Sequence, residues 1–594
     1  MNLSMTLEWL ERNSVHLLNR LAARPRLAAA ALVALALFTY LPGVLLLPPV
    51  DRTEIIYAES SREMLERNDW IDPVFEGRRY VFRPIGIYWA QIATGKVLGK
   101  DTWASIATYR IPSLIAGILA ILALWQLSRP LLGDRRAIIA AAFFAVSPIV
   151  ALQSILSIPE GPLLLSIVLA QLTLLRLYCA PHGDLRKEPL LALTFWVAQG
   201  LGMLLNALAV PILSITTLIA LYVMDRRLDW LHRLRPLIGI PIMLAIASPW
   251  LILRAHFDGG IPFAGLGFGE LLRALGGAQD MELRAGPFTF TIGLLLGFLP
   301  GALLLWPAMR DLWRFRSSPL QRFLFAWIVG YLLYLELIAS KPALYTVQAM
   351  FPAAAAAAAL TLDKMGRLAI PPRMLRMPWW FVVVLMAGIF GGTLWLAGAV
   401  PNVAVVVGAT LVVVLFALAA LAASRSYAAA WFTLAIASFA VFITFMFAVF
   451  MPHMRIGWPA TLLAETIAPL KRCVIGPVGV LGFREPSTTF VLGRDAEVEE
   501  DTIAARMAGG TDGIAIVEDR WQPDLAEQLE ARGAKAPPRA GCVQAFNVMR
   551  GCPLNFSIYV TGRETLDPGC RIDTVAPCSG PVEVPADAKR ARCR

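Results

Sequence analysis

The chain has 594 residues, 57% of them hydrophobic and only 16% charged, against about 25% charged in an ordinary globular protein. That balance excludes a soluble enzyme built round one core, and the apolar surplus gathers between residues 27 and 450 into runs near the roughly 20 residues a helix needs to cross a bilayer. The formal net charge of +11 does not call for nucleic acid, because most Arg and Lys residues sit in short clusters between apolar runs, where membrane topology accounts for them.

Residues 1–26 carry Arg12, Arg20, Arg24 and Arg26, and the run that follows ends at Asp51 with no small-residue cleavage site ahead of it. This predicts a cytoplasmic N-terminal segment and an uncleaved first span. A polar stretch (52–103) follows, then an apolar run to about 127 that stops at Arg129, Arg135 and Arg136. The loop 48–103 is therefore expected outside. Further runs lie near 137–153, 161–178, 189–205, 207–224, 236–254, 288–308, 321–339 and 345–361, with basic clusters such as Arg226-Arg227 and Arg310, Arg314 and Arg316 on alternate connections. Three last runs (378–399, 402–423, 428–450) bring the total to about 13 helical spans. The odd count puts the C-terminus outside.

Six of the seven cysteines follow the last span: Cys473, Cys542, Cys552, Cys570, Cys578 and Cys593. That concentration suits an oxidising compartment and disulfides of unresolved pairing. Metal-binding thiols are the alternative, but no C-x-x-C pair is present. Within 451–594, β-rich runs at 473–483, 488–492, 513–517, 542–548 and 554–560 alternate with helical stretches near 497–508 and 523–532, which predicts a small α/β domain.

Charge near a membrane is costly and usually kept for a task, so the first outside loop is the most informative region. It packs Asp51, Glu54, Glu59, Arg62, Arg78, Arg79 and Arg83 among Tyr57, Tyr80, Tyr88 and Trp89. Such a set suits a nucleophile activated beside a bound phosphate. It equally suits an interfacial amphipathic helix with an aromatic belt.

The order of residues in this loop separates the two. Glu54, Tyr57-Ala58-Glu59, Arg62-Glu63-Met64-Leu65, Asn68-Asp69-Trp70, Tyr80, Arg83-Pro84 and Tyr88-Trp89 resemble the signature of the C-type-fold integral-membrane glycosyltransferases. The likeness is to the lipid A aminoarabinosyltransferase and protein O-mannosyltransferase family. Arg110-Ile111-Pro112-Ser113, Pro159-Glu160, Gly286-Pro287-Phe288, Ser340-Lys341, Tyr345 and Phe351-Pro352 extend the resemblance along the membrane part.

The resemblance implies a sugar passed, with inversion, from a polyprenyl-phosphate donor to an envelope lipid or glycan acceptor such as lipid A. It implies Glu54 and Asp51 as the carboxylates that orient or deprotonate the acceptor, with Glu160 assisting. Tyr57, Tyr80, Arg83, Lys341 and Tyr345, with Arg284 in support, are implied as the partners of the lipid phosphate. This sequence departs from the family in three places. Thr53 stands beside Glu54 where relatives carry an adjacent acid, Phe82-Arg83 replaces Glu-Lys, and Asn206-Ala207 replaces Lys-Gly. Some family members use a divalent metal, but the five scattered histidines offer no ligand cluster. Protein O-glycosylation is the alternative within the class. A transporter or flippase would lead one to expect paired, broken helices, which the sequence does not announce, and a non-catalytic scaffold would not need the carboxylate and arginine set.

Overall fold

The computed structural model describes residues 3–75, 77–79, 84–180, 188–257, 286–337, 344–365, 373–396, 403–474, 476–493, 500–548 and 550–561. Among these, seven helices are long and apolar enough to cross a membrane: Pro25–Leu46, Ile106–Leu132, Glu160–Cys179, Glu188–Asn206, Pro319–Leu337, Val403–Ser424 and Ala428–His453. Three shorter apolar helices, Ala209–Asp225, Pro236–Pro249 and Trp379–Gly388, accompany them. These fall on the predicted runs. Two of the runs, expected as single spans, are broken instead: Asp134–Ala145 meets Pro148–Ile155 at 64°, and Thr289–Gly297 meets Gly301–Arg314 at 113°. Pro148 and Pro300 lie at the two breaks; proline withholds the N–H that would continue a helix and crowds the preceding turn.

Small residues set the packing at the centre. Ala353 to Ala359 on the helix Phe351–Met365 are all buried, and a face without side-chain bulk lets neighbouring helices approach closely. The N-terminal segment, expected only as a cytoplasmic lead, forms the amphipathic helix Leu3–Ala23. Its buried stripe of Leu7, Ser14 and Leu18 follows helical spacing. The Glu11 carboxylate on it accepts hydrogen bonds from the Ala429 and Ala430 amides (3.3 and 2.7 Å), closing the open N-terminus of the last span.

The C-terminal part folds round a four-stranded sheet in the order Val478–Leu481, Gly513–Glu518, Cys552–Thr561, Arg539–Asn547. The first pair is parallel and the others antiparallel. Alternation along Gly513–Glu518 serves two cores. Ile514 and Ile516 pack with Leu463 and Ile467 on one face, and Ala515 and Val517 with Ile503 and Leu525 on the other. Helices Glu500–Gly509 and Gln522–Ala531 fall where predicted. The run 488–492, expected as a strand, is instead part of the helix Pro486–Leu492, with proline in its first turn. Cys473, Cys542 and Cys552 are disulfide-bonded, and Cys179 is free.

Candidate active site at the first loop

The polar loop is built from a helix, Thr53–Arg67, a short hairpin pairing Val74–Phe75 with Arg78–Arg79, and a second helix, Gly86–Leu98. Glu54, Tyr57 and Ser61 are buried at positions that share one face of the first helix. Glu54, expected to act on the acceptor, is engaged on every side. Its Oε1 accepts from Arg110 Nε (2.8 Å) and the Ser157 amide (2.9 Å), and its Oε2 accepts from Arg110 Nη2 (2.8 Å) and the Val50 amide (2.9 Å). Arg110 is itself wholly buried and donates further to the carbonyls of Val44, Leu47 and Pro48. A planar guanidinium with five N–H groups can make such a set, and an ammonium cannot. The pair therefore ties the end of the first span, the first loop and the turn at Ser157 into one unit. All four acceptor positions of the Glu54 carboxylate, which was expected to act on the acceptor, are filled in this arrangement, by Arg110 and by the Ser157 and Val50 amides.

The pair holds the second outside turn, which leads into Glu160. The Gln91 amide donates to the Ser157 carbonyl (3.1 Å) while its oxygen accepts from Ser61 Oγ (2.6 Å). Ser113 Oγ donates to the Ile158 carbonyl (3.3 Å). Glu160 follows as the buried first residue of the helix Glu160–Cys179, where the dipole of the helix favours negative charge. A Cβ at Gly161 would stand 2.6 Å from the Gln153 carbonyl oxygen, so only glycine lets this turn close. Gln348, on the turn Leu344–Met350, donates to the Glu160 carbonyl (3.4 Å). Tyr57 is buried and packs on Tyr88 with ring centroids 5.5 Å apart.

Asp51 faces the other way. Its carboxylate accepts from the amide and the hydroxyl of Ser487 (2.8 Å each), capping the helix Pro486–Leu492 of the C-terminal part. Burial pushes the Asp51 carboxyl above its usual range, with a contribution from Glu485 nearby, against the Ser487 hydrogen bonds. Arg52, at φ 64° and ψ −92°, donates from Nε to Glu485 (3.1 Å). Glu485 also receives Asn547 (3.2 Å) and pairs with Arg550 (2.8 Å). Phe490 completes the contact, edge-on to Tyr109 (6.3 Å) and beneath the Arg62 guanidinium (6.0 Å). Asp51, expected on the acceptor side, thus has one hydrogen bond from Ser487 on each of its two oxygens.

Tyr80, Arg83, Arg284 and Lys341 lie outside the described residues, and of Tyr345 only its backbone, in the turn Leu344–Met350, falls within them. Ala207 keeps a positive φ of 24° at the position where the family pattern has glycine. Among the described residues no three His, Cys, Asp or Glu side chains gather as metal ligands. Sequence reasoning passed over Arg110 as a reactive-face residue, although an arginine one turn into an apolar span is costly enough to demand a partner. Gln91, Ser157 and Glu485 carried no comparable signal.

Comparison with known proteins gives the class first. Residues 83–253 match the family model described as dolichyl-phosphate-mannose-protein mannosyltransferase. Curated relatives include the undecaprenyl phosphate-alpha-4-amino-4-deoxy-L-arabinose arabinosyl transferase of Aeromonas salmonicida, 30% identical over 52% of this chain and 55% of the relative. The transferase of the same name from Pectobacterium atrosepticum is 28% identical over 60% of this chain and 61% of the relative. The matched region thus spans a little over half the length of these relatives. Among solved structures, ArnT from Cupriavidus metallidurans bound to undecaprenyl phosphate superposes with a TM-score of 0.65 at 18% identity, covering 89% of this chain and 97% of that one. The fold is the one seen in that protein. Together these likenesses bear out the resemblance to the C-type-fold membrane glycosyltransferases of the aminoarabinosyl and O-mannosyl branch.

Proposed function

We propose that the chain is an inverting glycosyltransferase that moves a sugar from a polyprenyl-phosphate donor to lipid A or a related envelope glycolipid at the periplasmic face of the inner membrane. The observation that carries the reading is the buried Glu54–Arg110 pair, which joins the signature loop to the turn that presents Glu160. So much buried charge spent on fixing two outer turns serves a site that needs its groups held in register. Glu160 takes the acceptor-side role: it receives the hydroxyl proton as the acceptor oxygen bonds to the anomeric carbon. The bond from that carbon to the phosphate oxygen breaks, and the phosphate departs with both electrons and the negative charge. Arg83, Lys341, Tyr57, Tyr80 and Tyr345, with Arg284, stabilise that charge. About 13 spans, a cytoplasmic N-terminus and a periplasmic C-terminal domain complete the reading; the disulfide-bonded Cys473, Cys542 and Cys552 support an oxidising side for the tail.

Protein O-glycosylation is the second reading, favoured by the description of the matching family model. One experiment separates them. Envelope lipids and proteins from cells with and without the gene are compared by mass spectrometry, and a sugar-sized mass on lipid A alone is expected. The same cells carrying Glu160→Gln should lack that mass while holding normal amounts of the protein. A mass difference confined to protein would overturn the lipid acceptor, and an unaltered envelope in every fraction would overturn the transferase reading.

A further inference from the structure

A cavity lies away from the first loop. It is a groove of about 940 Å³ between the helices Ala209–Asp225 and Pro319–Leu337, closed at one end by the turn that joins Arg314 to Pro319. Along its length the lining is apolar and open to the surroundings: Val223 is 60% exposed, Leu333 52% and Leu337 79%. Its floor is where the two helices touch, since a Cβ on Gly330 would stand 2.8 Å from the Thr216 carbonyl oxygen. From Phe325 to Leu337 it follows 12 residues of helix, about 18 Å.

The closed end is cationic. Arg322 pairs with Asp225, donates to the Tyr178 hydroxyl (3.1 Å), and holds the turn by donating to the carbonyls of Arg316 (3.0 Å) and Ser317 (3.1 Å). That leaves Arg314 and Arg316 standing outward on the same turn, both exposed and, among the described residues, without an ion pair. Arg316 lies over the Trp313 ring, 4.4 Å from its centroid, and donates one N–H to the Trp313 carbonyl (3.0 Å). The acids nearby are already neutralised, Asp225 by Arg322 and Asp311 by Lys364 (2.8 Å). Trp313 and Phe315 are exposed beside the two arginines, as aromatics are at a membrane interface. Tyr178 stands 18 residues beyond Glu160 on one straight helix, about 27 Å away, so this end of the groove opens on the membrane face opposite the proposed reaction.

From the unpaired arginine pair at the head of a lipid-facing apolar groove, we infer that this groove binds an anionic membrane phospholipid, its phosphate on Arg314 and Arg316 and an acyl chain along Val223, Val329 and Leu333. The guanidinium forks match phosphate oxygens, and the groove offers the chain a surface as long as much of one bilayer leaflet is deep. The site is separate from the donor site proposed above and stands whether or not that reading does.

The test is native mass spectrometry of the purified full chain in detergent, titrated with phosphatidylglycerol, phosphatidylcholine or inorganic phosphate. Phosphatidylglycerol should be retained about thirtyfold more tightly than phosphatidylcholine, the preference two surface arginines give an anionic headgroup. The double variant Arg314→Gln/Arg316→Gln should lose that preference with its melting temperature unchanged, and Val223→Trp should weaken both lipids by obstructing the groove. Equal binding of the two lipids, or a preference that survives the double variant, overturns the inference. Displacement of phosphatidylglycerol by millimolar inorganic phosphate would assign a free-anion site instead, and a dimer lost in Val223→Trp would assign the groove to a second copy of the chain.

Discussion

Replacing Glu54 by glutamine separates a clamp from a catalyst. Each carboxylate oxygen of Glu54 accepts one N–H from Arg110 and one backbone amide, from Ser157 or Val50. A glutamine must point its NH2 at one of these two donor pairs, and it leaves the wholly buried Arg110 without a counter-charge. Removing one partner of a buried ion pair costs about 3–5 kcal/mol, which is roughly 150- to 5,000-fold in a folding equilibrium. The assay is unfolding of the purified protein in detergent by heat or denaturant, followed by sugar transfer per folded molecule. Glu54→Gln should unfold far more readily than the wild type, and Arg110→Lys should do the same, because lysine restores the charge but not the five-donor fork. A Glu54→Gln protein that resists unfolding like the wild type and yet transfers no sugar would refute the argument and return Glu54 to the chemistry.

Three further outcomes are expected. The Asp51 carboxyl is raised above its ordinary value of 3.8 in the folded protein, so its contribution is fully present below that value and is lost as pH rises through the higher folded one. The stability difference between wild type and Asp51→Asn should therefore grow in favour of the wild type as pH falls from 7 towards 4, and a difference that shrinks on acidification would contradict the assignment. Phe490→Ala removes the ring that packs between Tyr109 and Arg62, a loss of about 3 kcal/mol or more. Limited proteolysis in the segment that holds the short turn Arg455–Gly457, between the last span and the C-terminal sheet, should then run faster. Ala207→Gly relieves a positive φ and should stabilise the protein by up to about 1 kcal/mol, read as a raised melting temperature.

Much of the membrane part was legible because hydrophobic run length is a direct physical demand of the bilayer, and the helices lie where the runs do. The breaks were less legible: a proline marks a place where a helix can end, but it does not announce a bend of 113° between Thr289–Gly297 and Gly301–Arg314. Strands 513–518 and 552–561 showed as β-rich runs, whereas Thr488–Leu492 reads as strand by the same content and becomes helix under Pro486 and the Asp51 cap. At the site, the sequence singled out the acids but not the partners that hold them. Glu54 and Asp51 look alike as acids at a span exit, and what distinguishes them from Glu160 is the identity of partners 56 and 436 residues away. Such distant pairings leave no local pattern.

The capping of Ser487 by Asp51 also sets an order of events during synthesis. The two residues are 436 positions apart, and at about 5–20 residues per second the ribosome needs roughly 20–90 s to supply the second after the first. Through that interval the end of the first loop waits without its partner, while most of the helices are made and inserted. Closure of Asp51 on Ser487 is therefore a late step in maturation, and any chain cut short before residue 487 carries an Asp51 that has nothing to cap. Nascent or truncated molecules would be distinguishable from finished ones by this single contact.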